Sequence, residues 1–124
     1  MGIEINPDSI EQADRNATVN GLGPLTRFEA GDVADLLKQT LPGCSALVVD
    51  PPRRGLESTV VAAILRDPPP LLAYLSCDMA TQARDLKRLL QPEGPYQLDQ
   101  LQPVDFFPQT THLENLAFLR RISS

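Results

Sequence analysis

The chain has 124 residues, a formal net charge of −5, 42% hydrophobic and 22% charged residues. That length suits one domain around one core, and no apolar run approaches the ~20 residues that a bilayer-spanning helix needs. The acidic balance excludes a chain that by itself holds nucleic acid through a broad basic surface, because phosphate neutralisation needs clustered Lys and Arg.

Basic residues do gather locally, at Arg53-Arg54, at Arg84 with Lys87-Arg88, and at Arg120-Arg121; each group reads as solvated surface. The opening MGIEINPD has no basic n-region and no apolar h-region, so no secretory signal is expected. Cys44 and Cys77, with no CxxC spacing, indicate neither a disulfide scaffold nor a zinc site. These features point to a reducing, cytoplasmic compartment, with no bound metal and no membrane association.

Gly2 to Ile5 reads as a short strand carrying the acid Glu4. Asn6-Pro7 supplies an N-cap and a first-turn proline, and the helix that follows buries Ile10, Ala13 and Ala17 before Asn20-Gly21 ends it. Leu25 to Glu29 reads as a second strand. Ala30-Gly31-Asp32 then turns into a short helix with Val33, Leu36 and Leu37, which Pro42-Gly43 breaks. Ala46 to Val49 is a continuous apolar run of the kind found in strands covered on both faces. Asp50-Pro51-Pro52-Arg53-Arg54-Gly55 leads into a helix from Glu57 to Arg66, with Val60, Val61 and Ile64 inward, stopped at Asp67-Pro68-Pro69-Pro70.

Leu71 to Leu75 is a further strand. It breaks at Ser76-Cys77-Asp78, after which Met79, Ala83, Leu86 and Leu90 recur at helical spacing. Pro92 to Pro95 is a turn. Tyr96 to Val104 and Glu114 to Ile122 read as two strands without a helix between them, hence an antiparallel edge, joined by a loop over 106–112. Strands alternating with helices predict an α/β fold with a largely parallel sheet, of about six strands and four helices.

Cys77 sits where a strand ends and a helix begins. Ligands bind beyond the carboxyl ends of strands in open α/β sheets, and a helix N-terminus favours the reactive thiolate. The alternative reading is a small buried hydrophobe, which is also how Cys44 reads. Glu4, at a strand's carboxyl end, is either a cap or a ligand for ribose hydroxyls. Asp32 is either a helix cap or an acceptor for an adenine amino group. Asp50 opens a loop that two prolines stiffen, a rigidity suited to a binding site. Glu114, at the start of the last strand, has the chemistry of a general base. His112 reads as a hydrogen-bonded loop residue.

Four stretches, GIEINPDSIEQADRNATVNGL, DPPRRGL, YLSCDMATQARDL and PVDFFPQTTHLENLAFL, together resemble the RNA (uracil-C5)-methyltransferases that use S-adenosyl-L-methionine and form 5-methyluridine in tRNA or rRNA. The resemblance covers essentially the whole chain. It implies a Rossmann-like class I methyltransferase fold, with residues 1–124 as the C-terminal portion of the catalytic domain. It assigns Cys77 as the nucleophile that adds to C6 of the uracil and Glu114 as the base that removes the C5 proton. It places Glu4 at the cofactor ribose, Asp32 near the adenine and Asp50 at the pocket of cofactor and target base. RNA would be the substrate.

Two departures from the family's pattern stand out. Asp78-Met79 follows the cysteine where the family has Asn-Pro, adding a carboxylate that opposes thiolate formation. Thr111 stands where many members have a first histidine. The RNA-binding barrel and the first, glycine-rich strand-to-helix unit are also absent from these residues. Without that central strand, its two neighbours either close directly on each other or leave a gap that a second copy of the chain fills. An inactive fragment that folds or dimerises without catalysis is therefore the alternative to an active segment. An amino-group methyltransferase with an [ND]-P-P-[YFW] motif is disfavoured, because Arg53 stands where the aromatic should be.

Overall fold

The computed structural model describes residues 1–105 and 113–122. The chain divides into two compact units, Met1–Gln39 and Thr40–Ser124.

In the first unit β1 (Gly2–Glu4) pairs in parallel with β2 (Phe28–Ala30), with Glu4 opposite Ala30. The connection is α1 (Pro7–Val19). Asn6 caps it, its side-chain oxygen accepting from the Asp8 N–H at 2.9 Å. At its other end Gly21 takes φ +72°, and the Leu22 N–H returns to the Ala17 carbonyl at 2.8 Å. This is the left-handed glycine close that Asn20-Gly21 predicts. The second strand starts later than the sequence suggests. Gly23–Leu25 is a 3₁₀ turn, closed by the Thr26 hydroxyl donating to the Leu22 carbonyl at 3.1 Å. A threonine side chain that satisfies the backbone locally competes with the strand ladder, and Leu25 is left exposed. α2 (Val33–Thr40) follows, burying Ala34 and Leu37.

The second unit is built on a four-stranded sheet in the order β3-β4-β6-β5. Its strands are β3 (Ala46–Val49), β4 (Leu71–Ser76), β5 (Tyr96–Val104) and β6 (Glu114–Arg121). β3 runs parallel to β4; β6 is antiparallel to β5, as the lack of a helix between those two predicts, and it lies between β5 and β4, antiparallel to β4 as well. α3 (Ser58–Arg66) joins β3 to β4, and α4 (Met79–Leu89) joins β4 to β5. The core lies on one face of the sheet. Leu72, Tyr74, Ala117 and Leu119 bury there with Val60, Val61, Ala63 and Ile64 of α3 and Leu86 and Leu89 of α4. Alternate strand positions point the other way, and Leu71 and Phe118 among them are exposed.

Two expectations need correction. β3 is not covered on both faces: Val48 is 73% exposed. The buried stripe of α4 is also rotated from the one that apolar spacing predicts. It consists of Gln82, Asp85, Leu86 and Leu89, while Met79 is 56% exposed.

Asp85 explains that rotation. Its side chain is fully buried and both carboxylate oxygens accept hydrogen bonds. Oδ2 accepts from the Tyr74 hydroxyl at 2.6 Å and the Leu56 N–H at 2.9 Å. Oδ1 accepts from Arg88 Nη2 at 2.5 Å and Arg84 Nη2 at 3.0 Å. The same two arginines reach on to the loop, Arg84 Nη2 to the Arg54 carbonyl at 2.8 Å and Arg88 Nη2 to the Leu56 carbonyl at 3.1 Å. Arg84 and Arg88 are thus not simply solvated surface. Gly55 completes the fit: its φ is +86°, and an added Cβ would meet Asp85 Oδ2 at 2.5 Å and Arg84 Nη2 at 2.7 Å.

Burial pushes the Asp85 carboxyl up, but the bonds from Tyr74, Leu56, Arg88 and Arg84 outweigh it and hold the group below its usual range. Its stabilising contribution is therefore present at neutral pH and disappears as pH falls through that lowered value. Asp85→Asn should cost about 3 kcal/mol at neutral pH, since it breaks a buried charged network on one side. It should also flatten the acid limb of the stability curve. Tyr74→Phe should cost about 2 kcal/mol. Urea unfolding across pH measures all three.

Candidate active site

Cys77 occupies the bend between β4 and α4 and is half-buried, with its thiol free. The last pair in the β4–β6 ladder is Ser76 with Asn115. One step further along the two antiparallel chains stand Cys77 and Glu114, so the two residues end adjacent strands at the same level. Glu114 is half-buried and also pairs with Val104 of β5. On the other side Val49 of β3 is in register with Tyr74, which brings Asp50 level with Leu75, two residues before Cys77. Asp50, Cys77 and Glu114 therefore share one end of the four-stranded sheet.

Two buried amides fix that end. Gln82 is 1% exposed and Asn115 is 3% exposed. Gln82 Nε2 donates to the Tyr74 carbonyl at 3.0 Å and the Asn115 carbonyl at 2.9 Å, while its Oε1 accepts from Asn115 Nδ2 at 2.8 Å. α4 is thereby pinned to both strands that carry the cysteine and the glutamate. On the third side, the Asp85 network holds the loop that begins at Asp50. Neither Gln82 nor Asp85 stands out in the sequence as a site residue. The available signal is their spacing with Leu86 and Leu89, which places a carboxylate and an amide on a helix's inward face, where polar groups persist only with partners.

Asp78, the departure beside Cys77, has a structural task. It is the N-cap of α4, and its Oδ1 accepts from the Thr81 N–H at 2.9 Å. Its main chain is held by Ser76, whose Oγ donates to the Asp78 carbonyl at 2.9 Å and accepts from the Asp78 N–H at 3.1 Å. The bond from the Thr81 N–H holds the Asp78 carboxyl below its usual range, so the group stays ionised next to the thiol.

Glu4 and Asp32 belong to the first unit, at the carboxyl ends of β1 and β2. Both are exposed. Glu4 Oε1 accepts from the Asn6 N–H at 3.4 Å. Asp32 Oδ1 caps α2, accepting from the Ala34 N–H at 2.9 Å and the Asp35 N–H at 3.3 Å. Each bond uses one carboxylate oxygen, and the second can take a ligand's hydroxyl or amino group. Thr111 and His112 lie outside the described residues.

Residues 9–122 match the family model described as tRNA (uracil-5-)-methyltransferase. The chain belongs to that family. Two relatives are uncharacterized RNA methyltransferases, from Parasynechococcus marenigrum at 82% identity over the whole chain and from Prochlorococcus marinus at 44%. The chain spans 27% and 29% of their lengths. Among solved structures, the tRNA (uracil-54, C5)-methyltransferase of Pyrococcus abyssi, in complex with S-adenosyl-L-homocysteine, superposes with a TM-score of 0.79 at 32% identity, covering 95% of this chain and 28% of that one. An rRNA methylase from Streptococcus thermophilus superposes with a TM-score of 0.64 at 12% identity, covering 98% of this chain and 72% of that one, a likeness of fold. The fold is thus that of the class I methyltransferases.

Asp78→Asn keeps a residue able to cap the helix and removes the like charge beside the sulfur. It should therefore leave stability within about 0.5 kcal/mol of wild type and speed alkylation of Cys77 by iodoacetamide at neutral pH. Mass spectrometry of the modified peptide, read against Cys44 as internal reference, measures the rate.

Proposed function

We propose that this chain is the catalytic segment of an RNA methyltransferase that transfers a methyl group from S-adenosyl-L-methionine to C5 of a uridine in tRNA or rRNA. The observation that supports the reading is the strand register, whose last pair is Ser76 with Asn115, next in sequence to Cys77 on one strand and to Glu114 on the other.

C5 of uracil is a poor nucleophile. Covalent addition at C6 makes it one, splitting a difficult step into easier ones. The Cys77 thiolate forms a bond to C6, and the electron pair of the C5–C6 double bond moves onto C5 and the O4 enolate. S-adenosyl-L-methionine, when bound, supplies the electrophilic methyl group. Glu114 then accepts the C5 proton, the C5–C6 double bond re-forms, and the sulfur leaves as thiolate. One residue on each of two adjacent strand ends suits these tasks, because addition and proton removal act on neighbouring carbons of one ring. Asp50, on its proline-stiffened loop, borders the base.

The cofactor's chemistry fits the acids of the first unit. Glu4 retains a carboxylate oxygen for ribose hydroxyls, and Asp32 retains one for an adenine amino group, beyond the bonds that orient them. Asp78-Met79, in place of the Asn-Pro that follows the cysteine in the family's pattern, favours the second reading, a folded segment with little or no turnover.

RNA carrying 5-fluorouridine should trap a covalent adduct in the presence of cofactor, because fluorine at C5 cannot leave as a proton does. Cys77→Ala should abolish trapping, and Glu114→Gln should accumulate adduct on ordinary uridine RNA. Trapping that persists in Cys77→Ala refutes the nucleophile. Calorimetry with S-adenosyl-L-homocysteine separates the two readings: binding weakened by Glu4→Gln supports the active segment, and an absence of binding supports the inactive one.

A further inference from the structure

A cavity of about 440 Å³ opens beside the loop that follows Asp50, lined by Arg54, Gly55 and Leu56 of the loop, Ser58 at the start of α3, and Arg84 and Arg88 of α4. We propose that this cavity is a phosphate-binding subsite that takes a backbone phosphodiester of the RNA next to the target base. The identity of the ligand as RNA rests on the function proposed above; the preference for a phosphate does not.

Charge is the first argument. Three arginines stand against two carboxylates, Glu57 on the lining and Asp85 buried behind it, an excess of one positive charge on a chain whose net charge is −5. Asp85 is sealed, with both oxygens engaged, so it orients Arg84 and Arg88 without presenting itself to a ligand. Guanidiniums held in place by a buried carboxylate and by loop carbonyls have given up their rotamer freedom before any anion arrives, which favours planar recognition of phosphate.

Arg54 is the exposed member. Its ion pair with Glu57 spans 3.5 Å, and both side chains are more than half exposed. Such a surface pair is worth little, so a phosphate can displace Glu57 from it. Ser58 adds a hydroxyl, and α3 begins there without a side-chain cap, since Glu57 makes no capping bond. The cavity also has the right position. Arg84 is five residues into α4 from Met79, about 8 Å along the helix axis at its usual rise, and Cys77 lies just before that helix. A strand whose base reaches Cys77 therefore passes close to the cavity with its neighbouring phosphates.

The test uses the 124-residue chain and a fluorescein-labelled uridine-rich single-stranded RNA, with anisotropy recorded across salt concentrations. Arg54→Glu should weaken binding about tenfold, as expected when one charge-assisted hydrogen bond is removed. It should also reduce the slope of log K against log[salt] by about 0.7 for each phosphate that the variant no longer neutralises. Ser58→Asp is the second variant. An acid in the first turn favours the helix, so its thermal midpoint should not fall while its RNA affinity does. Arg66→Glu makes the same charge change at the far end of α3 and should bind like wild type.

The proposal is overturned if Arg54→Glu binds no more weakly than Arg66→Glu, or if the wild-type chain binds neither RNA nor inorganic phosphate. Binding of inorganic phosphate, read by calorimetry, without oligonucleotide binding overturns the RNA occupant and leaves a small-anion site. The fluorouridine adduct is an independent readout. Adduct formation with an unaffected Arg54→Glu sinks the subsite alone, and weakened binding without any adduct sinks the catalytic reading alone.

Discussion

The second unit is organised around one buried carboxylate. Asp85 has no access to water, and a charge in that position is tolerated only when its surroundings replace hydration bond for bond. A tyrosine from β4, a main-chain amide from the loop after Asp50 and two arginines from its own helix do so. Removing any one leaves the others facing an unbalanced group, so the arrangement specifies a single position for the loop relative to α4. The glycine at 55 is part of the same constraint, because a larger residue would occupy the space the carboxylate needs.

Gln82 plays the corresponding part at the other side of the helix, bonding main-chain carbonyls of two strands at once. The two buried side chains are three residues apart on α4 and therefore share its inward face. Between them they tie the helix that starts after Cys77 to the loop of Asp50 and to the strand of Glu114. Three chain segments far apart in sequence thus present their ends together, and the tolerance of that end of the sheet is set by hydrogen-bond geometry rather than by apolar packing.

Much of this is legible in the residues. Proline at a first helical position, glycine after a last one and apolar runs of strand length set the number and order of the elements. The four quoted stretches point to the family, which the comparison with known proteins supports. What cannot be read is equally physical. The Leu25 segment looks like a strand because nothing in its pattern announces that Thr26 will bond the backbone locally. The Ala46–Val49 run gives no sign that Val48 stays exposed, since a continuous apolar run reads the same whether one face or both are covered. Apolar periodicity misplaces the α4 face because it counts Met79 and Ala83 as inward and Asp85 as outward. Only the partners at Tyr74 and Leu56, 11 and 29 residues away, reverse that order.

The shared carboxylate also bears on how such a protein changes over time. Because the side chains of Tyr74, Arg84 and Arg88 all bond to the same two oxygens, a substitution at one alters what the others are worth, and their effects do not add. The loop DPPRRGL and the pair Arg84-Asp85 therefore act as a single part. A loop transplanted from a distant relative would seat only if the matching turn of helix travelled with it.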